Sequence, residues 1–253
     1  MQTRKLNFAI YPHCTHSCLL NKPRKLLICF SFPAFFIQYI CRPKVEGKAQ
    51  KILDQVTILF MQYGIKSLAM DDIARHLGMS KKTLYKSFSD KADLVTKGIQ
   101  SYMDKENTAL CSIQEKSKNA IEEMFLISQH VSTHLQSMHP SILFDLEKYY
   151  PAAFSKFNEY KTQIIMSCIA RNIEEGIEQG LYRDNINIPI VAGLYVGRID
   201  IIFDQQLFPA IKYSPKDVYF EAIRYHIRGI ASEKGMAYLK DKFNTLDTQH
   251  PIF

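Results

Sequence analysis

The stretch that most constrains this chain runs Ser67-Leu-Ala-Met-Asp-Asp-Ile-Ala-Arg-His-Leu-Gly-Met-Ser-Lys-Lys-Thr-Leu-Tyr-Lys-Ser-Phe-Ser-Asp-Lys91. From Met70 to Leu77 the apolar residues Ile73, Ala74 and Leu77 fall on one helical face. Gly78 follows, the residue type that takes a left-handed conformation without a Cβ penalty. Ser80 then offers an N-cap oxygen to a second helix over Lys81–Phe88. Leu84 and Phe88 lie four apart on one side of that helix. The other side carries Lys81, Lys82, Thr83, Tyr85 and Lys86. The spacing of Ala74, Gly78 and Leu84 is that of a helix-turn-helix: a small residue for close approach, a glycine for the turn, a branched residue to plug the crossing. Its second helix presents a short, cationic, hydroxyl-bearing face of the size a DNA major groove admits. Asp90 caps a third helix. Lys91 opens it, where its ammonium and the free backbone N–H groups can share a phosphate.

The run Met70-Asp-Asp-Ile-Ala, Gly78-Met-Ser-Lys-Lys-Thr-Leu-Tyr85, Phe88 and Lys91-Ala-Asp-Leu94 resembles the DNA-binding domain of TetR-type transcriptional regulators (TetR/AcrR-like). The likeness covers residues 46–106, with the motif at about 69–88. It implies an all-α fold: a three-helix head joined by a long helix to a helical domain that binds an effector and dimerises. On this likeness Ser80, Lys81, Lys82, Thr83, Tyr85, Lys86 and Lys91 are the expected DNA contacts. The family usually has Ser or Thr just before the first motif helix. This chain has Leu68-Ala69 there, which leaves Ser67 or Asp71 to supply the cap.

Charge divides the chain. Residues 1–45 hold seven of the 32 Lys/Arg and none of the 25 Asp/Glu, so 46–253 carries 25 of each. Basicity beyond residue 45 is therefore local: six Lys/Arg between Arg75 and Lys97 face only Asp90 and Asp93, the kind of patch that releases counter-ions from DNA. The first segment fits no targeting class. Leu26–Ile40 is apolar but broken by Pro33, and it is short of the roughly 20 residues of a membrane helix. No small-x-small cleavage site follows it. It reads as an extra, disordered segment or a misassigned start, with Val45 as a candidate start; a juxtamembrane tether is the other reading. His13-Cys14-Thr-His16-Ser-Cys18 is too cramped for a zinc knuckle, so no metal is expected. Cys111 and Cys168, in separate predicted helices, suit free thiols in a reducing cytoplasm.

The rest reads as helices only. Glu46–Tyr63 is amphipathic, with Ala49, Ile52, Leu53, Val56, Leu59 and Phe60 on one face. A long helix runs from Asp90 to about Lys116. Others follow at about 119–137, 140–148, 152–179, 187–208 and 215–232, with breaks at Pro140, Pro151, Gly180, Pro189, Pro209 and Pro215. A last short helix covers Ala237–Phe243, within a second domain over 107–243, and a frayed tail covers 244–253.

A helical body behind a DNA reader suggests a sensor for a small-molecule effector. The aromatic-rich set His139, Phe144, Tyr149, Tyr150, Phe154, Phe157 and Met166 is the candidate pocket, although residues at helical spacing are usually ordinary core. Asp145 and Asp200 are candidates to meet a cationic ligand, although a lone carboxylate is more often a surface group. Gly193 and Gly197, four apart, allow close helix approach. With Val218, Ala222, Tyr225 and Ile230 they form a candidate homodimer face, the alternative being internal core.

Enzymatic function is not expected. The chain has no Gly-rich phosphate loop, no G-x-S-x-G, no H-E-x-x-H and no C-x-x-C pair. His130 and His134 share a helix face without an adjoining Glu and read as a surface pair. No cofactor is expected. The reading is a cytoplasmic, ligand-released repressor that binds a palindromic operator as a homodimer, with double-stranded DNA as partner and no membrane. The alternative is a membrane-tethered or protein-binding helical module.

Overall fold

Side-chain caps and glycines set most of the helix ends. The computed structural model describes residues 47–243; the expectations for 1–45 and for the tail 244–253 lie outside them. Helix α1 spans Lys48–Tyr63 and ends at Gly64, whose φ is +77°. Helices α2 (Met70–His76) and α3 (Lys81–Tyr85) follow, then α4 (Lys91–Lys116). Asp90 Oδ1 accepts the Asp93 N–H at 2.8 Å and starts α4. Asn119 Oδ1 accepts the Glu122 N–H at 2.9 Å and starts α5 (Ala120–Ser137). Helix α6 is Ile142–Tyr149. Pro151 opens α7 (Pro151–Tyr160), a position where its missing N–H costs nothing. A π-helical turn at Lys161–Ile165 joins α7 to α8 (Met166–Glu178). Then come α9 (Ile188–Ile202), α10 (Pro215–Ile230) and α11 (Glu233–Phe243). The fold is all-α; the described residues hold no strand beyond a single bridge between Tyr182 and Ala231.

Several ends differ from the sequence expectation. Helix α9 stops at Ile202 and does not reach residue 208. Asp204 Oδ1 accepts the Gln206 and Leu207 N–H groups at 2.8 and 3.2 Å, a local turn that competes with the helix. Helix α11 starts at Glu233, ahead of Ala237, because Ser232 Oγ accepts the Gly235 N–H at 3.0 Å. The α2 cap is neither Ser67 nor Asp71. Asp72 reaches back to the Ala69 N–H at 3.0 Å, while Ser67 Oγ donates to the Tyr63 carbonyl. Helix α3 ends at Tyr85, and the Ser87 and Phe88 N–H groups both close onto the Leu84 carbonyl.

Two clusters of apolar side chains hold the chain together. The first packs Ile52, Leu53 and Val56 of α1 with Ile73, Leu84, Phe88, Leu94 and Val95. It extends to Ile142, Leu146 and Ala153, so the head shares its core with α6 and α7. The second joins α5, α8, α9 and α10 through Ile121, Met124, Ile173, Ala192, Ile223 and Ile227. Gly176 is required there: a Cβ would lie 2.0 Å from the Tyr182 ring. A buried polar link crosses the same cluster, where the Glu123 carboxylate accepts from Arg171 Nη2 at 2.5 Å and Asn172 Nδ2 at 2.9 Å. No helix among the described residues is long and apolar enough to cross a membrane.

Candidate nucleic-acid interface

The turn between α2 and α3 has the expected geometry. Gly78 sits at φ +61°, and the Met79 N–H closes onto the Ala74 carbonyl at 3.0 Å. Ser80 Oγ accepts the Thr83 N–H at 3.1 Å. Leu84 is 0% exposed and Phe88 2%. These two fully buried side chains fix the roll of α3, because each large apolar group contributes roughly 1.5–3 kcal/mol only when it is inside. With that side down, Lys81, Lys82, Tyr85 and Lys86 stand exposed, and Thr83 is half-buried.

Two of the predicted contacts are partly engaged within the chain. Lys81 Nζ pairs with Asp71 across the turn at 3.0 Å, and that hydrogen bond raises its pKa. Both partners are well exposed, so a phosphate can replace the carboxylate at little cost. The Lys91 ammonium does not stand beside the free N–H groups of α4 as expected. It donates to the Ile65 carbonyl at 2.7 Å, and partial burial lowers its pKa despite nearby Asp145 and Asp72.

The loop that carries the Lys91 contact is tied to the body by one buried carboxylate. Asp145 Oδ2, on α6, accepts the Ile65 and Lys66 N–H groups at 3.0 and 2.9 Å and the Ser141 hydroxyl at 3.1 Å. The His139 N–H donates to the Met61 carbonyl at 2.7 Å, and Lys66 Nζ to the Tyr149 hydroxyl at 2.6 Å. Asp145 is thus a brace between the α1–α2 loop and α6 and is not open to a cationic ligand. Asp145→Ala orphans two backbone donors and is expected to cost about 2 kcal/mol. Denaturant midpoints of the two proteins check this, and an unchanged midpoint refutes it.

The predicted pocket residues divide. His139, Phe144 and Phe154 line an open groove of about 980 Å³, with Asn158, Lys161 and Asp200. Tyr150 packs against the head core and Met166 against the body core. Tyr149 holds Lys66, and Phe157 lies under the Lys161 ammonium. Asp200 is not an isolated carboxylate: Lys161 Nζ donates to both its oxygens, at 2.6 and 2.7 Å. Sequence reasoning missed Lys161, which the π turn rotates inward; a one-residue insertion in helical register leaves no mark in side-chain spacing. It also missed the buried Tyr160 hydroxyl and Asn107 Oδ1, which have no hydrogen-bond partner.

The α9–α10 surface carries exposed apolar side chains. Leu194 is 69% exposed and Tyr225 85%, with Ile190 and Ile201 also open to solvent. A Cβ on Gly193 or Gly197 would meet nothing within 4 Å, so no helix among the described residues covers them. Ala222 is half-buried beside Tyr225. Ile230, expected on this face, is instead buried in the body core.

Residues 52–97 match the family model described as bacterial regulatory proteins, tetR family. Over 186 residues the chain is 24% identical to an uncharacterised HTH-type transcriptional regulator, YvaF of Bacillus subtilis, covering 73% of this chain and 96% of that protein. Over 75 residues it is 28% identical to IcaR of Staphylococcus aureus, a negative transcriptional regulator of the biofilm operon icaADBC, covering 30% of this chain and 40% of that one. Its fold is similar to that of the transcriptional regulator FadR from Bacillus subtilis, solved in complex with stearoyl-CoA, with a TM-score of 0.57 and 19% identity over 72% of this chain and all of the other.

Proposed function

We propose that this chain, whose residues 52–97 match the tetR family model, is a TetR-type transcriptional regulator: a repressor that grips a palindromic operator as a homodimer and lets go when a small molecule binds its body. The seating of α3 on Leu84 and Phe88 carries the reading, since it turns Lys81, Lys82, Tyr85 and Lys86 outward together. In this reading Lys81, Lys82 and Thr83 meet base edges, while Tyr85 and Lys86 hold phosphates and set register. Ser80 orients α3 from its cap. Lys91 shapes the loop beneath it and offers the α4 N-terminus to a phosphate.

Two copies joined through Gly193, Gly197, Ala222 and Tyr225 present two recognition helices to half-sites one helical turn or a multiple apart. The exposed Leu194 and Tyr225 support that face, since a four-helix interface covers such side chains. The effector occupies the groove at His139, Phe144, Phe154 and Lys161. Its walls on α6 and α7 also carry the Asp145 brace and residues of the head core, so a ligand that shifts them changes the position of the head. That FadR, of like fold, holds stearoyl-CoA supports a ligand role for the body. No catalytic step is involved, and the protein acts in the cytoplasm, where its DNA lies.

Tyr85→Ala is expected to abolish operator binding, a loss on the order of tenfold or more, while leaving the dimer intact. Duplexes selected from random sequence by the full chain supply the operator, and an inverted repeat is expected. A gel shift that Tyr85→Ala leaves unchanged, or selection that enriches nothing, overturns the reading in favour of a protein-binding module.

A further inference from the structure

Outside the groove and the head, one cluster has ligand chemistry that the proposed function does not use. Glu106 on α4 faces His130 and His134, one turn apart on α5. His130 Nε2 lies 2.9 Å from Glu106 Oε2, and His134 Nε2 lies 3.5 Å from Glu106 Oε1. The two rings meet edge to face with centroids 4.7 Å apart. The pair is therefore not the surface pair its sequence suggested: all three residues are half-buried, and each imidazole addresses its own carboxylate oxygen.

We propose that Glu106, His130 and His134 form a binding site for a divalent transition-metal ion of the zinc class. Two imidazole nitrogens with one carboxylate suit a borderline ion such as Zn2+ and not Ca2+ or Mg2+, which take oxygen donors. The dimensions fit. A tetrahedral ion with bonds of about 2.0–2.1 Å has its ligands about 3.3 Å apart. The imidazole nitrogens lie 2.9 and 3.5 Å from the two oxygens of the one carboxylate, values on either side of that distance, and one ligand atom from each residue lies within 4.8 Å of the others. Bringing ligand atoms that lie within 4.8 Å of one another to about 3.3 Å asks for relative side-chain shifts of up to about 1.5 Å.

Burial supports the assignment as well. The site is sheltered enough to favour coordination over hydration, yet the His134 side chain is 39% exposed, which leaves an entry path. Three protein ligands leave a fourth position open, the pattern of a site that accepts water or an exogenous ligand. Loading pins α4 to α5, and the site stands whether or not the head reads DNA.

The test is Co2+ and Zn2+ binding by the full chain, compared with His130→Asn/His134→Asn and with Glu106→Gln. His13, Cys14, His16 and Cys18 are present in every protein compared, so the difference between proteins is what counts. Wild type is expected to take up one more equivalent of Co2+ than the double variant, with a visible d–d band that the variant lacks. Glu106→Gln is expected to weaken Zn2+ at least about 100-fold, above the 10–100-fold lost when only an outer partner of a metal ligand is removed. Zn2+ should raise the melting temperature of wild type and not of the variants, since an ion that binds only the folded chain stabilises it. Equal uptake, equal spectra and an equal Zn2+-dependent melting shift in all proteins overturn the site. If the double variant does not fold, His134→Asn, at the most exposed of the three ligands, carries the same comparison.

Discussion

Phe88→Ala is expected to silence DNA binding without touching any residue that faces DNA. The ring is among the largest fully buried side chains of the described residues and closes the head core beneath α3. Truncating such a ring in a packed core costs about 3–5 kcal/mol. In a folded unit of this size that corresponds to a melting temperature lower by roughly 6–20 °C. The loss falls on the contact that fixes the roll of α3, so Lys81, Lys82, Tyr85 and Lys86 lose their common direction before the body unfolds. Thermal unfolding and a gel shift on one preparation check it. Phe88→Leu, which keeps most of the volume, should recover most of both. The contrast with Tyr85→Ala is informative: that change should remove DNA binding and leave the melting temperature within a degree or two of wild type. A Phe88→Ala protein that melts with wild type and still shifts the operator would mean that α3 is held by something else.

The second large effect is on pH. His226 of α10 is half-buried against the Tyr195 ring, with centroids 5.0 Å apart, and its buried Nε2 has no hydrogen-bond partner. Burial, reinforced by the Arg198 guanidinium, lowers its pKa from 6.5 to about 3. Arg198 itself stacks on Tyr195 at 3.5 Å and donates to the Ala222 carbonyl. A histidine whose folded pKa is depressed is charged in the unfolded chain first. Between pH 6.5 and about 3 the unfolded state binds the extra proton, so stability is complete above 6.5 and falls with each step toward acid. The full loss is on the order of 5 kcal/mol, of which about 2 kcal/mol is gone by pH 5. Denaturant midpoints at pH 7.5 and pH 5 measure it. His226→Gln should flatten that slope, and an equal slope in the variant would exclude His226 as its source. Because His226 lies between α9 and α10, its protonation should also loosen the proposed dimer. Sedimentation across the same pH range reads that directly.

The head was legible in the sequence because its signals are local. Ala74, Gly78, Ser80, Leu84 and Phe88 act within a few residues of one another, and capping, left-handed turns and i, i+4 burial follow from short-range sterics and hydrogen bonding alone. Most helix ends were legible for the same reason. The exceptions, at Asp72, Asp204 and Ser232, arise where a side chain chose one backbone group over another near the same turn.

Everything that joins distant segments was decided by packing. Asp145 read as a carboxylate open to a ligand until the fold brought it to the Ile65 and Lys66 N–H groups, some 80 residues earlier in the chain. Glu106 met His130 and His134 only when α4 and α5 came together. Lys161 met Asp200 through a π turn that no spacing rule reveals. A sequence states which face of a helix is apolar. Which helix covers that face, and which polar group the crossing then traps, depends on the three-dimensional arrangement of all the helices at once.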